Sequence, residues 1–284
     1  MKKAVHKKGV GARTHDSVWE HAILIFVAIL HMLPLAVMVL NSFREEKRIK
    51  LLPISLPESL YFKNYPNAWK KGQFLTGYLN SFFIGVIVVI CVLVLGGLCA
   101  YSMAKLPLPK RDFFVGYFTM GMAIPGFLCL VPLYFMMGKI GMTNSRYGLS
   151  MIYVALFLPL HTMMMRAYLI GIPRELEEAG KIDGCSELGV FWHVTLPLAR
   201  PIVTTVALLV FSRCWNEFLW ANTFLSVNPV RTVATRFYIF VSEHNTEMDM
   251  IYTSGVISLA PIAVLYLLLQ DNFIEGLTAG GVKG

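Results

Sequence analysis

The sequence predicts an all-α integral membrane protein with six transmembrane helices, and three observations lead there. Of its 284 residues, 56% are hydrophobic and only 15% charged, with a mean hydropathy of +0.60. A soluble domain carries roughly 45–50% apolar and about 25% charged residues, so a soluble chain could not cover this much apolar surface. The same composition excludes disorder, which needs low hydrophobicity and high charge. Six apolar runs are long enough to cross a bilayer as helices, each needing about 20 residues. Alternating strand patterns are absent, which argues against a barrel.

The first run, 22–43, follows a basic segment with Lys2, Lys3, Lys7, Lys8 and Arg13. It is too long for a signal peptide and no small-x-small site follows it. It therefore reads as a retained helix, with Pro34 as a kink site. The second run, 76–104, is very apolar after Asn80-Ser81, and the third, 113–137, is broken by Pro125 and Pro132. The fourth, 147–166, lies between Arg146 and Arg166. The fifth, 201–227, begins at Pro201 and contains Arg213 and Glu217, and the sixth is 250–270. No stretch reads as a separate soluble domain, so 1–284 is one transmembrane domain.

Charge and cysteine usage fit this class. The net charge of +8 marks loops rather than a nucleic-acid surface. Six spans put both ends on one side, and that side carries thirteen Lys and Arg against eleven on the other. The difference is slight. The basic segment before the first helix places both ends in the cytoplasm. Five cysteines form no CxxC pair, and Cys91, Cys99, Cys129 and Cys214 sit in apolar runs as small hydrophobes.

The longest connection on the inner side, 168–200, carries the most specific pattern. Pro173 suits a helix start, and Glu175, Glu177 and Glu178 suit the positive end of its dipole. Ile172, Leu176 and Ala179 fall at i, i+4, i+7 and predict one apolar stripe. Gly184 supplies a stop, and a second short helix follows from Ser186 and ends before Leu196-Pro197. The result is a helix–turn–helix elbow outside the membrane. Ala179 and Gly180 have almost no side chain, so another protein's backbone could come close.

Glu178-Ala179-Gly180, Gly184, Val194 and Leu196-Pro197, at these spacings, resemble the EAA loop of ABC importer permeases. Gly180 replaces the second Ala of that pattern and Val194 its Ile. The segment Phe273 to Gly284 looks like the tail of the maltose-type permeases that take carbohydrates, and in particular of the second permease of the pair. Trp215-Asn216-Glu217-Phe218 and Asn64-Tyr65 are similar to the same subfamily.

The resemblance implies a division of labour. This chain and a second homologous permease form the pore, surrounded by membrane lipid. A homodimeric cytoplasmic ATPase binds ATP and Mg and moves the EAA elbows. An extracytoplasmic solute-binding protein delivers a small-molecule sugar. Glu178, Ala179, Gly180, Asp183, Gly184, Leu196 and Pro197 are then the coupling residues, and Gly276, Leu277, Thr278, Gly280 and Lys283 the tail residues meeting the ATPase. The chain has no GxxxxGK[ST] phosphate loop, so it holds no nucleotide cofactor and is not the ATPase.

Arg213 and Glu217 are four apart in an apolar run, on one face of a continuous helix. A charge there is costly, so they pair or face water. With Asn216 they line the translocation path, or they form a structural ion pair. Trp215 serves sugar stacking or anchors the interface. His31 and His161 stand alone, without metal-ligand spacing, and suit helix–helix hydrogen bonds. No nucleophile–base arrangement marks a catalytic site. The expected function is import of a sugar or oligosaccharide in the inner membrane of a prokaryote. A polyol or glycerol phosphate is the alternative within the family. An ion-driven secondary transporter is the alternative outside it, but it calls for internal repeats that the sequence lacks.

Overall fold

A computed structural model describes residues 14–241 and 246–279, with side chains over 19–241 and 246–268. Among these residues there are helices and no strands. Four helices are long and apolar enough to cross a membrane, and two bent pairs bring the number of spans to six.

Helix α1 (Thr14–Ser42) runs unbroken through Pro34. Its apolar window is bare within this chain, and only its C-terminal part packs, where Met38 lies against Gly255. The connection between the first two spans carries α2 (Glu46–Leu51) and α3 (Asn64–Lys71). The Asn64-Tyr65 pair has a clear task here. Asn64 Nδ2 donates to the carbonyls of Ser42 and Arg44 at 3.0 and 2.9 Å, and the Tyr65 hydroxyl bonds the Ser42 hydroxyl at 2.8 Å. Together they clasp this loop onto the end of α1.

The second span is α4 (Phe74–Cys91), a π-helical turn Val92–Gly96, and α5 (Gly97–Lys105). The third is not straight. Helix α6 (Arg111–Ala123) meets Gly126–Lys139, which contains α7 (Leu130–Lys139), at 83°. Of the two prolines, Pro125 makes the bend, because the residue before a proline avoids the helical region. Ile124 is accordingly extended at φ −77°, ψ 118°. Pro132 falls in the first turn of α7, where a missing N–H costs nothing.

The fourth span is α8 (Arg146–Ile170), capped by Ser145, whose hydroxyl accepts from the Gly148 N–H at 3.3 Å. The elbow follows as α9 (Arg174–Ile182), α10 (Glu187–Val190), a second π turn Phe191–Thr195, and α11 (Leu196–Leu198). The fifth span, α12 (Arg200–Asn216), turns away from the elbow by 80°. It stops at Asn216, and α13 (Leu219–Phe224) starts afresh, so the predicted continuous helix over 201–227 is two helices. Short 3₁₀ turns cover Val233–Phe240, and α14 (Met248–Ala279) is the sixth span, apolar over Met248–Leu268.

The core lies among α4, α5, α8 and α12, around Val88, Ala100, Leu149, Tyr153, Val206 and Val210. Small residues let these helices approach closely, as membrane helices require. A Cβ at Gly85 would stand 2.8 Å from the Phe211 ring, and one at Gly96 would stand 2.8 Å from Thr162 Oγ1. At the end of the bundle away from the elbow, Asn80 Nδ2 donates to the Pro229 and Arg231 carbonyls at 2.9 and 3.0 Å, and fixes the 228–240 segment over the bundle. Arg236 is buried there against Gly77, and burial lowers its pKa to about 10.

Candidate functional site

Gly184 makes the elbow turn. Its φ is +89°, a region open to glycine and resisted by side chains. The Gly184 N–H donates to the Lys181 carbonyl and the Cys185 N–H to the Gly180 carbonyl, both at 3.0 Å. These are the two bonds of a Schellman end, which satisfy the last carbonyls of α9. Asp183 is the exposed C-cap residue before it. Across the turn, the Ser186 hydroxyl accepts from the Gly189 N–H at 3.2 Å and starts α10, and Lys181 pairs with Glu187.

The faces of α9 differ from the predicted stripe. Ile172 is buried, but Leu176 and Ala179 are exposed. The inward face is Glu177 and Gly180. A Cβ on Gly180 would meet Val194 Cγ2 at 3.1 Å, so the small residue here lets the two arms of the elbow close on each other. It is Ala179 and Glu178 that remain open to a partner. Leu196 and Pro197 do not end the second arm, which runs on to Leu198. Pro197 sits directly after the π turn, which already interrupts the regular hydrogen-bond register of the arm.

Glu177, expected only as an acid at the helix start, is a buried anchor of the elbow. Its Oε1 lies 3.2 Å from Lys105 Nζ and accepts from the Thr195 hydroxyl at 3.3 Å. The two side chains are 2% and 9% exposed, and Lys105 also donates to the Ile172 carbonyl at 2.6 Å. Removing one partner of such a buried pair costs about 3–5 kcal/mol. Outside this anchor the elbow shows large apolar side chains. Ile182 is 87% exposed and Leu188 60%, with Leu176 and Trp192 also in the open. These apolar groups are bared together on one segment of the chain.

Arg213 and Glu217 do not pair. Glu217 lies past the end of α12, extended at φ −72°, ψ 123°. Its carboxylate accepts from the Tyr153 hydroxyl at 2.6 Å and from the N–H groups of Trp220 and Ala221 at 3.0 and 2.9 Å. It therefore caps α13 and ties it to α8. Arg213 and Asn216 both stand exposed on α12, one turn apart. Trp215 is buried, with its indole N–H donating to the Ser258 carbonyl at 3.0 Å, so it stacks on nothing outside the protein. His31 and His161 also differ from expectation. Each bonds the carbonyl four residues back in its own helix, at 2.8 and 2.6 Å, and neither links two helices. Gly276, Leu277 and Thr278 continue the helix of α14, while Gly280 and Lys283 lie outside the described residues.

The family model for the inner membrane component of binding-protein-dependent transport systems matches residues 92–278. The diacetylchitobiose uptake system permease protein of Streptomyces coelicolor is 30% identical, with 92% of this chain and 87% of the relative covered. The arabinooligosaccharides transport system permease protein of Halalkalibacterium halodurans is 30% identical over 91% of this chain and 94% of its own. Among solved structures, a bacterial ABC transporter involved in importing the acidic polysaccharide alginate contains a chain of the same fold. Its TM-score is 0.78 at 22% identity, covering 94% of this chain and all of that one.

Proposed function

The chain belongs to the family of inner membrane components of binding-protein-dependent transport systems, and from that premise we infer that it is one permease of a sugar or oligosaccharide ABC importer. Relatives named for diacetylchitobiose and arabinooligosaccharides support the substrate class. In this reading the chain carries no catalytic step. ATP and Mg belong to a homodimeric ATPase, substrate arrives on an extracytoplasmic binding protein, and a second permease completes the pore.

One observation carries the coupling role. The elbow is held rigidly on its inner face by Lys105–Glu177 and turned by Gly184, while its outer face is bare and apolar. That is a surface shaped to enter a groove on a soluble partner, and the partner is the ATPase. Glu178, Ala179, Asp183 and Ile182 meet it directly. Gly180, Gly184, Leu196 and Pro197 set the shape of the elbow. The last turns of α14, with Gly276, Leu277 and Thr278, and the residues Gly280 and Lys283 beyond them, add a second contact. The elbow and both chain ends then face the cytoplasm.

Arg213 and Asn216 face the translocation path, where a guanidinium and an amide can meet hydroxyl groups or water. Glu217 supports that wall from behind and does not touch substrate. Ile182→Asp tests the coupling role. The variant chain should reach the membrane in normal amount and pair with the second permease, because Ile182 packs against nothing in this chain. Co-purification of the ATPase and substrate uptake should both fall. Undiminished ATPase binding in this variant refutes the docking assignment.

A further inference from the structure

We propose that Lys105 and Glu177 tie the elbow to the cytoplasmic end of the second span, so that the two move as one body and the stroke of the ATPase reaches the pore through α5. The proposal rests on the coupling role of the elbow and adds the route by which its displacement travels.

The covalent chain joins the elbow to only two spans. Ile172 leads back to α8, and Ala199 leads on to α12 through the 80° turn. Neither connection reaches the second span. The buried ion pair does, with Nζ and Oε1 at 3.2 Å. Thr195, from the far arm of the elbow, donates to the same carboxylate oxygen, and Lys105 donates to the Ile172 carbonyl at the elbow's entry. Lys105 thus touches the root of one arm and a carboxylate shared with the other. A ring contact adds to this, since Tyr101 of α5 lies 5.1 Å from Phe191 between centroids. Buried charges resist separation, because each would be left without water and without its partner.

Two π-helical turns mark the unit, one at its edge and one within it. One, Val92–Gly96, lies between α4 and α5, and the other, Phe191–Thr195, lies inside the elbow. A π turn breaks the regular hydrogen-bond register of a helix and is often found at functional sites. Above the first of them, α4 is packed into the core with α8 and α12. Below it, α5 packs on α8 in the same core and is fastened to the elbow as well. The turn at Val92–Gly96 marks where the part of the span tied to the elbow begins.

The test uses the whole transporter, reconstituted in vesicles with its ATPase and binding protein. Lys105→Met combined with Glu177→Met removes both charges at nearly constant volume, a change that buried pairs often tolerate. Membrane level, ATPase co-purification and basal ATP hydrolysis should stay near wild type. Substrate moved per ATP hydrolysed should fall about tenfold, within the usual range of coupling between sites. A part that only stabilised the fold would lower the amount of transporter and leave this ratio unchanged. An unchanged ratio overturns the proposal.

A second variant decides the matter even if the first assembles poorly. Lys105→Cys with Glu177→Cys, in a background lacking the five native cysteines, is measured before and after bridging with a short bifunctional thiol reagent. The bridge should restore the ratio, because it restores the tie. A bridge that leaves the ratio low, or stops transport altogether, refutes motion as one body. Failure of the coupling role itself would appear separately, as retained ATPase binding in Ile182→Asp.

Discussion

Replacing Gly184 with valine isolates the backbone demand of the elbow. A Cβ built on Gly184 meets nothing within 4 Å, so the substitution creates no clash with its surroundings. The whole effect comes from φ at +89°. An L residue held in the left-handed region costs about 1–2 kcal/mol, and sparsely populated conformations cost about 1–3 kcal/mol. A β-branched residue belongs at the upper end, since its two γ atoms crowd the backbone. At about 2–3 kcal/mol, the balance between the native turn and a relaxed one moves roughly 30- to 150-fold. Relaxation would break the two 3.0 Å bonds that close α9 and misalign Ile182 and Glu178. Gly184→Asn is the control. Asparagine is larger than valine in polar reach, but it enters the left-handed region readily. Transport and binding-protein-stimulated ATP hydrolysis should therefore collapse in Gly184→Val and survive largely in Gly184→Asn, at equal membrane levels. Equal activity of the two variants, whether high or low, would show that backbone conformation is not what Gly184 supplies.

Two further outcomes follow from the same geometry. Glu217→Ala should destabilise the chain by about 1–3 kcal/mol, the cost of leaving buried donors unsatisfied, and adding Arg213→Ala should not rescue it. Rescue by the second change, read from yield after detergent heating, would restore the ion-pair reading. A single cysteine at Ser186 should resist an impermeant thiol reagent added outside, with Cys185 removed, while one at Ser59 should react, and the reverse pattern would invert the topology.

The sequence made the spans legible because apolar runs of that length have few alternatives. It also made the elbow turn legible, since glycine after an amphipathic stretch is the common way to end a helix. Arg213 and Glu217 were misread for a definite reason. A spacing of four puts them on one face only if the helix continues, and at the break Glu217 instead caps Trp220 and Ala221 and meets the Tyr153 hydroxyl, which only the fold brings there. The two prolines of the third span were equally good candidates for the bend. Only their positions relative to the helix starts separate them. The sequence marked Glu177 only as an acid at a helix start, and its pairing with Lys105 was illegible, because the two lie far apart in sequence and meet through tertiary packing. The apolar stripe of α9 was misplaced for the same reason. The face turned inward carries this charged pair, and the hydrophobic residues are left exposed.

The bend at Ile124–Pro125 has a consequence for the lipid around the protein. Helix α6 has thirteen residues, none of them buried in this chain, and thirteen residues rise only about 20 Å. Helix α12, with seventeen, rises about 25 Å before it breaks. Hydrocarbon in a typical bilayer is about 30 Å thick, and short spans are accommodated by local thinning at a small cost per ångström. The spans are therefore uneven in length: α1 and α4–α5 are long enough for a full bilayer, and α6 reaches that length only together with Gly126–Lys139 beyond the bend. Where α6 faces lipid, acyl chains beside it shorten or splay, and the energy of the surrounding membrane enters that of any state that changes the angle at Pro125. Uptake measured across vesicles of graded acyl-chain length should peak at the shorter lengths, and a flat profile would show that the bend is shielded from lipid by the assembled partners.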